Sequence, residues 1–488
     1  MDATEPPSAD REGYDRLVEN PYQSPVDQPL STFSIDVDKA SYANARRFLQ
    51  SNRLPPPDAV RIEEFINYFS YTYPEPTGEH PLSITTELAA APWNDAHKLV
   101  RIGLKARTVP KASYPPSNLV FLVDTSGSMA SDDKLPLLQK SLSLLVEELR
   151  DTDHVAIVAY AGAAGLVLPS TSGRDKRAIL DALNRLQSGG STAGGAGIQL
   201  AYKTALDNFI KKGNNRVILA TDGDFNVGLS SDGELTRLIE EEREKGVFLT
   251  VLGFGTGNYQ DAKMEKLADK GNGNYAYVDS LNEGRKVLVE EMGGTLLTLA
   301  KDVKLQVEFN PARVKAYRLI GYENRMLKAE DFNDDKKDAG ELGSGQTVTA
   351  LYEVIPPGVD VPGSSVDPLK YQKTANVSAA AGGSELLTVK FRYKDPEGTK
   401  SKLQTAVLED SARPWGKASA DFRTAAAAAG FGMVLRHSEF AGSLDYAKVV
   451  ELARPGAESD AGGSRAEMLG LVEKARLLDS PSLRLKER

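Results

Sequence analysis

Cysteine is absent from all 488 residues. That excludes disulfides, thiolate-ligated zinc, iron–sulfur clusters and thiol catalysis. Histidine is scarce: His80, His97, His154 and His437 lie far apart, and no H-E-x-x-H occurs. Nothing in that spacing suggests a histidine-built metal site or a Ser-His-Asp triad. No apolar run reaches the ~20 residues of a membrane-spanning helix. A basic surplus is also missing. The 59 Lys and Arg are outnumbered by 68 Asp and Glu, a net charge of −9, which argues against a general nucleic-acid binder, since phosphate contacts need a basic face. The opening "MDATEPPSADREGYDRL" is acidic and Pro-rich, unlike a signal peptide. Two compartments stay open: the cytosol, or the cell envelope for a mature chain whose export signal was removed ahead of Met1.

What is present is ordinary for a globular protein, with 41% hydrophobic and 26% charged residues. At roughly 150 residues per domain, the length suggests about three domains. Residues 1–30 carry Pro6, Pro7, Pro21, Pro25 and Pro29 among few aliphatics and read as an extended tether. Residues 31–116 form an N-terminal region. In "DKASYANARRFLQSN", Tyr42, Ala45, Phe48 and Leu49 have helical spacing. In "DAVRIEEFINYFSY", Ile62, Phe65, Ile66 and Phe69 share a face, with Asp58 as the expected N-cap. "LSITTELAAAPW" and "KLVRIGLKAR" read as strands around a turn at Asn94-Asp95.

From 117 to 300, strands such as "NLVFLVD", "HVAIVAY", "RVILATD" and "VFLTVLGFG" alternate with helices, the last of them "NEGRKVLVEEMGGTLLTLA". These strands are apolar on both faces, as a parallel sheet covered by helices requires. Residues 301–410 instead show period-two strands without helices between them, an antiparallel sandwich. Residues 411–488 read as a helical region, its Ala run a tightly packed helix. Two isolated strands are only marginally stable, so residues 82–107 are expected to pair with strands beyond 302. The expected fold is thus a doubly wound, mostly parallel α/β sheet inserted in, or flanked by, a β-sandwich, with helical segments at both ends.

The stretch "NLVFLVDTSGSMASDDK" ends a buried strand in a cluster of oxygen donors. Open α/β sheets bind ligands at the carboxyl ends of their strands, and three loops can be placed there. D-x-S-x-S contributes Asp124, Ser126 and Ser128; "GGSTAGGAGI" offers Thr192; "ATDGDFNVG" puts Asp222 at a strand end. Two carboxylates and three hydroxyls, with no nitrogen or sulfur, suit Mg²⁺ or a similar hard cation rather than zinc. Few protein charges would leave the ion electrophilic and able to accept a carboxylate from outside.

D-x-S-x-S, a distant Thr and an Asp in a T-D-G context, in this order on these elements, resemble the von Willebrand factor type A (VWA) domain with its metal-ion-dependent adhesion site. The resemblance covers about residues 117–300. It implies that Ser126, Ser128 and Thr192 touch the ion directly, and that Asp124 and Asp222 hold it directly or through water. Mg²⁺ is the expected ion, with Mn²⁺ or Ca²⁺ as alternatives. The implied partner is a protein supplying an Asp or Glu, with residues 130–134, 162–165, 189–195 and 224–229 rimming the site. "NPYQSPVDQPLSTFSIDVDKASYANARRFL" followed by "RIEEFINYF" resembles the N-terminal region of bacterial envelope proteins that carry such a domain and are often lipoproteins. Their lipid-bearing cysteine has no counterpart in this sequence. The resemblance to integrins implies that the last α/β helix could couple metal occupancy to the sandwich.

Three functional classes follow: a non-enzymatic binding module, a scaffold whose ion staples loops together, and a Mg²⁺-dependent phosphoesterase. The third lacks a general base, nucleophile or basic clamp in the sequence. Other motifs read as structural. "FSIDVDKAS" has the D-x-D of haloacid-dehalogenase-type phosphatases, but Ala40 stands where Thr is required, and Asp38 reads as a helix N-cap. "DFNDDKKDAGEL" has Lys336 and Leu342 at the Gly and Glu positions of a calcium loop, so it reads as a solvated acidic loop. "GGSTAGGAG" lacks the G-K-[ST] of a nucleotide loop. "EEEREK" reads as a solvated helix face, and Trp93 and Trp415 read as core or contact residues.

Overall fold

The protein is described by a computed structural model covering residues 12–161, 163–189, 194–223, 232–257, 259–362, 378–411, 413–458, 460 and 462–480. It divides into two compact units. Residues 109–297, with 12–15 and 38–44, make the first; residues 16–37, 45–108 and 298–480 make the second. The α/β unit is therefore inserted in sequence between two stretches of the other.

The first unit is a six-stranded sheet in the order Ala164–Ser172, His154–Tyr160, Ser117–Asp124, Asn214–Thr221, Val247–Phe254, Tyr275–Val278. All neighbours run parallel except the first pair. Helices Leu135–Glu147, Lys176–Asn184, Gly194–Asp207, Asp232–Glu244 and Asp261–Lys270 connect the strands. The apolar run of the Ser117–Asp124 strand serves both faces. Val120 and Leu122 pack with Ile198 and Tyr202 in one core, and Leu119, Phe121 and Val123 pack with Leu138 and Leu142 in the other. That is why the strand shows no polar alternation.

Two elements differ from the sequence reading. The Ala164–Ser172 edge strand was not anticipated, because its residues are mostly half-buried or exposed and carry no buried apolar pattern. The expected helix over 282–300 is broken. It runs as a helix at Leu281–Arg285, a π-helical turn at Lys286–Glu290 and a short helix at Met292–Leu296. Residues 298–300 already belong to the strand Thr298–Phe309. Gly293 and Gly294 weaken the helix where it gives way.

The second unit holds two antiparallel sheets. One has the order Met326–Leu327, Leu30–Ser34, Thr298–Phe309, Glu385–Lys394, Ser401–Glu409, with Gly340–Gly343 also on the Thr298–Phe309 strand. The other runs Ala316–Ile320, Thr347–Ile355, Asn94–Ala106, Leu82–Ala91. Phe33, Leu305 and Phe391 of the first share a core with Val100, Ile102 and Tyr352 of the second. The expected long-range pairing is present, from Lys98↔Val354 to Lys105↔Thr347. The hairpin turn is Pro92-Trp93, since Ala91 pairs with Asn94, two residues earlier than Asn94-Asp95. The tether is docked at Asn20, whose amide donates to the Leu319 and Gly321 carbonyls at 3.2 and 2.8 Å. Asp58 does not start the helix Ile62–Asn67, which begins after Arg61; its carboxylate instead accepts the Leu17 N–H at 3.1 Å.

Helix Ala420–Leu435 packs on Ile62–Asn67, with Phe431 edge-on to Phe65 at 5.8 Å. Ala425 to Ala429 are fully buried, small side chains that permit close approach. A chain of charges runs through this unit. Glu353, itself buried, accepts from His97 at 2.6 Å and from Arg318 at 3.2 Å. Arg436 reaches Glu323 at 2.9 Å.

Glu63 is fully buried, and one of its carboxylate oxygens finds no hydrogen-bond partner. Burial first, and then the charge of Glu323, push its carboxyl up from 4.5 to about 8. The folded state then holds a proton that the unfolded chain releases near 4.5. Its contribution is present in acid and is lost as pH rises from about 4.5 to about 8. Glu63→Gln is therefore expected to melt above the wild type at pH 8, the gap closing toward pH 4.5. Parallel thermal melts across that range check it.

Candidate metal centre

The centre begins with strand order. The Ser117–Asp124 strand continues to His154–Tyr160 on one side, while Asn214–Thr221 lies on the other. The connections diverge at its carboxyl end, which makes a crevice there. Parallel register sets Asp124 opposite Tyr160, and Val123 opposite Ala220, so Thr221 and Asp222 leave their strand beside Asp124.

Asp124 has no exposed surface, and an ionised carboxylate there needs donors. Its Oδ1 accepts the Ser126 N–H at 2.9 Å. Its Oδ2 accepts the hydroxyls of Tyr160 and Thr221, both at 3.2 Å. Burial raises its pKa, the charge of Asp222 adds to the rise, and the Ser126 N–H opposes it. Burial and Asp124 together lift the Tyr160 phenol well above its usual range, so it remains a donor.

The hydroxyls of Ser126 and Ser128 lie 3.0 Å apart. Adjacent ligands of an octahedral ion at roughly 2.1 Å stand about 3.0 Å from one another, so this pair has a spacing a hard cation can use. Asp222, fully buried, accepts from the Lys134 ammonium at 2.9 Å. The structure therefore gathers Asp124, Ser126, Ser128 and Asp222 around one strand end. Thr192 lies outside the described residues, as do 162, 190–193 and 224–229 of the expected rim. Gly189, on the near side of that gap, donates its N–H to the Thr125 carbonyl at 2.8 Å.

The sequence reading did not assign Tyr160, Thr221 or the Lys134 contact. Tyr160 and Thr221 end apolar strands and look like core residues; only the sheet register turns their hydroxyls toward Asp124. Asp38 Oδ1 accepts the Tyr275 N–H at 2.9 Å. In the acidic loop, the carbonyls of Asp331 and Asp334 hold the Lys304 ammonium at 3.2 and 2.6 Å. Within "EEEREK", Glu242 is buried, so that run is solvated only in part.

Strand order and the strand-end oxygen cluster define a von Willebrand factor type A domain protein, and residues 118–290 match the model of that domain. Residues 8–101 match a model described as von Willebrand factor, and residues 294–478 one described as the C-terminal region of YfbK. The chain is 44% identical over 469 residues to uncharacterized protein YfbK of Escherichia coli (strain K12), covering 95% of this chain and 80% of that one. It belongs to the YfbK family. It is also 28% identical over 197 residues to uncharacterized protein sll0103 of Synechocystis sp., covering 40% of this chain and 45% of that protein. Among solved structures, a von Willebrand factor type A protein from Catenulispora acidiphila covers 81% of this chain and 91% of its own, at 16% identity and a TM-score of 0.40.

Tyr160→Phe removes one donor from a fully buried carboxylate. It is expected to cost about 1–3 kcal/mol, read as an earlier midpoint in urea unfolding followed by hydrogen exchange of the 117–124 strand.

Proposed function

We propose that this chain is a non-enzymatic, divalent-metal-dependent protein-binding module of the bacterial cell envelope. The observation that carries the reading is the 3.0 Å spacing of the Ser126 and Ser128 hydroxyls beside the buried Asp124 and Asp222. Ser126, Ser128 and Thr192 would hold the ion, with Asp124 and Asp222 behind them. Mg²⁺ fits this oxygen set, and Mn²⁺ or Ca²⁺ would serve as alternatives. When bound, the ion supplies a Lewis-acidic position that a partner's Asp or Glu can complete. Asp124 orients the loop through the Ser126 N–H, and Tyr160 and Thr221 hold Asp124 in place. Charge-assisted contacts of this type, partly desolvated, carry a few kcal/mol each.

Two features support binding over turnover. The only histidine in the sequence of the α/β unit, His154, begins the strand that Tyr160 ends, so that unit's own imidazole stands at the opposite end of the strand from the site. The donor set is hydroxyls and carboxylates, which hold an ion without offering an activated nucleophile. Placement at the envelope rests on the resemblance of the N-terminal stretch.

Mn²⁺ titration of the full chain is expected to show one site that Asp124→Ala and Ser126→Ala remove. Capture of a partner from envelope extract should require Mg²⁺ and fail with Ser128→Ala. Equal capture in chelator would remove the reading, and phosphate-ester turnover lost in Asp124→Ala would favour an enzyme instead.

A further inference from the structure

Lys134 is an unusual residue to find at a site for a cation. Its side chain is 9% exposed, and its ammonium lies 2.9 Å from Oδ2 of the fully buried Asp222. Lysine is rarely buried unless paired, and folding here freezes a long side chain in one direction. The surroundings are shaped to allow it. The stem passes over Gly255, where a Cβ would come within 2.3 Å of both Cγ and Cε of Lys134. Gly255 has φ +74°, a conformation that glycine adopts freely and other residues rarely do. The Tyr277 hydroxyl pins its carbonyl at 2.7 Å. A slot just past the strand Val247–Phe254 is thus kept clear for a lysine stem that ends on a candidate metal carboxylate.

We propose that Lys134 is a tethered cation that competes with the divalent ion for Asp222 and so sets the ion concentration at which the site loads. The proposal deepens the metal-site reading above and rests on it. An ammonium and a divalent ion drawn to one buried carboxylate repel each other, strongly where the dielectric is low. The ion must either displace the ammonium or bind more weakly beside it. Displacement would have a mechanical consequence. The Lys134 carbonyl accepts the Leu138 N–H at 2.8 Å, in the first turn of the helix Leu135–Glu147. Loading would therefore release the side chain of the residue that opens this helix.

The test is Mn²⁺ titration calorimetry on the full chain, with thermal melts in chelator and in Mn²⁺. Lys134→Met is expected to bind Mn²⁺ about tenfold tighter or more, because a like charge has been removed from the ion's surroundings. Lys134→Arg keeps the charge and is expected to stay within about threefold of the wild type. Gly255→Ala obstructs the slot without altering any charge and should tighten binding by about threefold or more. In chelator, Lys134→Met should melt below the wild type, and Mn²⁺ should raise its melt by more. If the wild type binds and both Lys134→Met and Gly255→Ala bind no tighter, the tether is overturned while the metal site stands. If neither wild type nor Lys134→Met binds, the metal-site reading falls and takes the proposal with it.

Discussion

A carboxylate with no exposed surface, at the end of a strand with no exposed residue, is the constraint from which the α/β unit's upper edge is built. Burying an ionised group costs several kcal/mol unless donors replace water. Asp124 receives them from three neighbours: a backbone N–H in its own loop, the phenol of Tyr160 and the hydroxyl of Thr221. Each comes from a different part of the sheet. Satisfying one charge therefore ties the first loop to the strands on both sides, and it does so at the point where the chain's connections diverge. Asp222 meets the same problem beside it and draws on the ammonium of Lys134. The crevice is consequently ordered by electrostatics first. The serine hydroxyls, which need no such compensation, are left at a spacing that a hard ion can use.

The second unit handles buried charge differently. His97, Glu353 and Arg318 pair at short range, and Arg436 pairs with Glu323. Such pairs are weak evidence of net stability, because desolvation offsets their attraction; removing one partner is what costs most. One of these pairs, His97 with Glu353, joins segments that the intervening α/β unit separates in sequence. The same is true of the sheet, where residues 98–105 pair with 347–354 and Leu30–Ser34 pairs with residues 304–308. Neither half of this unit can close its sheets alone. The chain leaves after the strand Asn94–Ala106 of one sheet and returns in the strand Thr298–Phe309 of the other, handed over by the broken helix over 281–296.

Local signals were strong wherever burial was two-sided or periodic. Continuous apolar runs marked the central strands, and the switch from helical to twofold period beyond residue 301 marked the sandwich. The ligand candidates were legible because hydroxyls and carboxylates directly after an apolar run are conspicuous. Reading failed where burial was shallow or one-sided. Ala164–Ser172 is an edge strand with little to hide, and Thr298–Ala300 looked helical because the same leucines can serve either period.

The sequence by itself determined which residues are candidates for the site and the alternation of layers in the fold, because both follow from residue type and hydrophobic period, which are local properties. Only the tertiary structure decided which side chains answer Asp124, that a lysine reaches Asp222 through a slot left by Gly255, and which distant strands pair. Those outcomes depend on sheet register and on the directions of side chains from separate loops. A chain of letters does not carry them, because each is set by the packing of segments far apart in sequence.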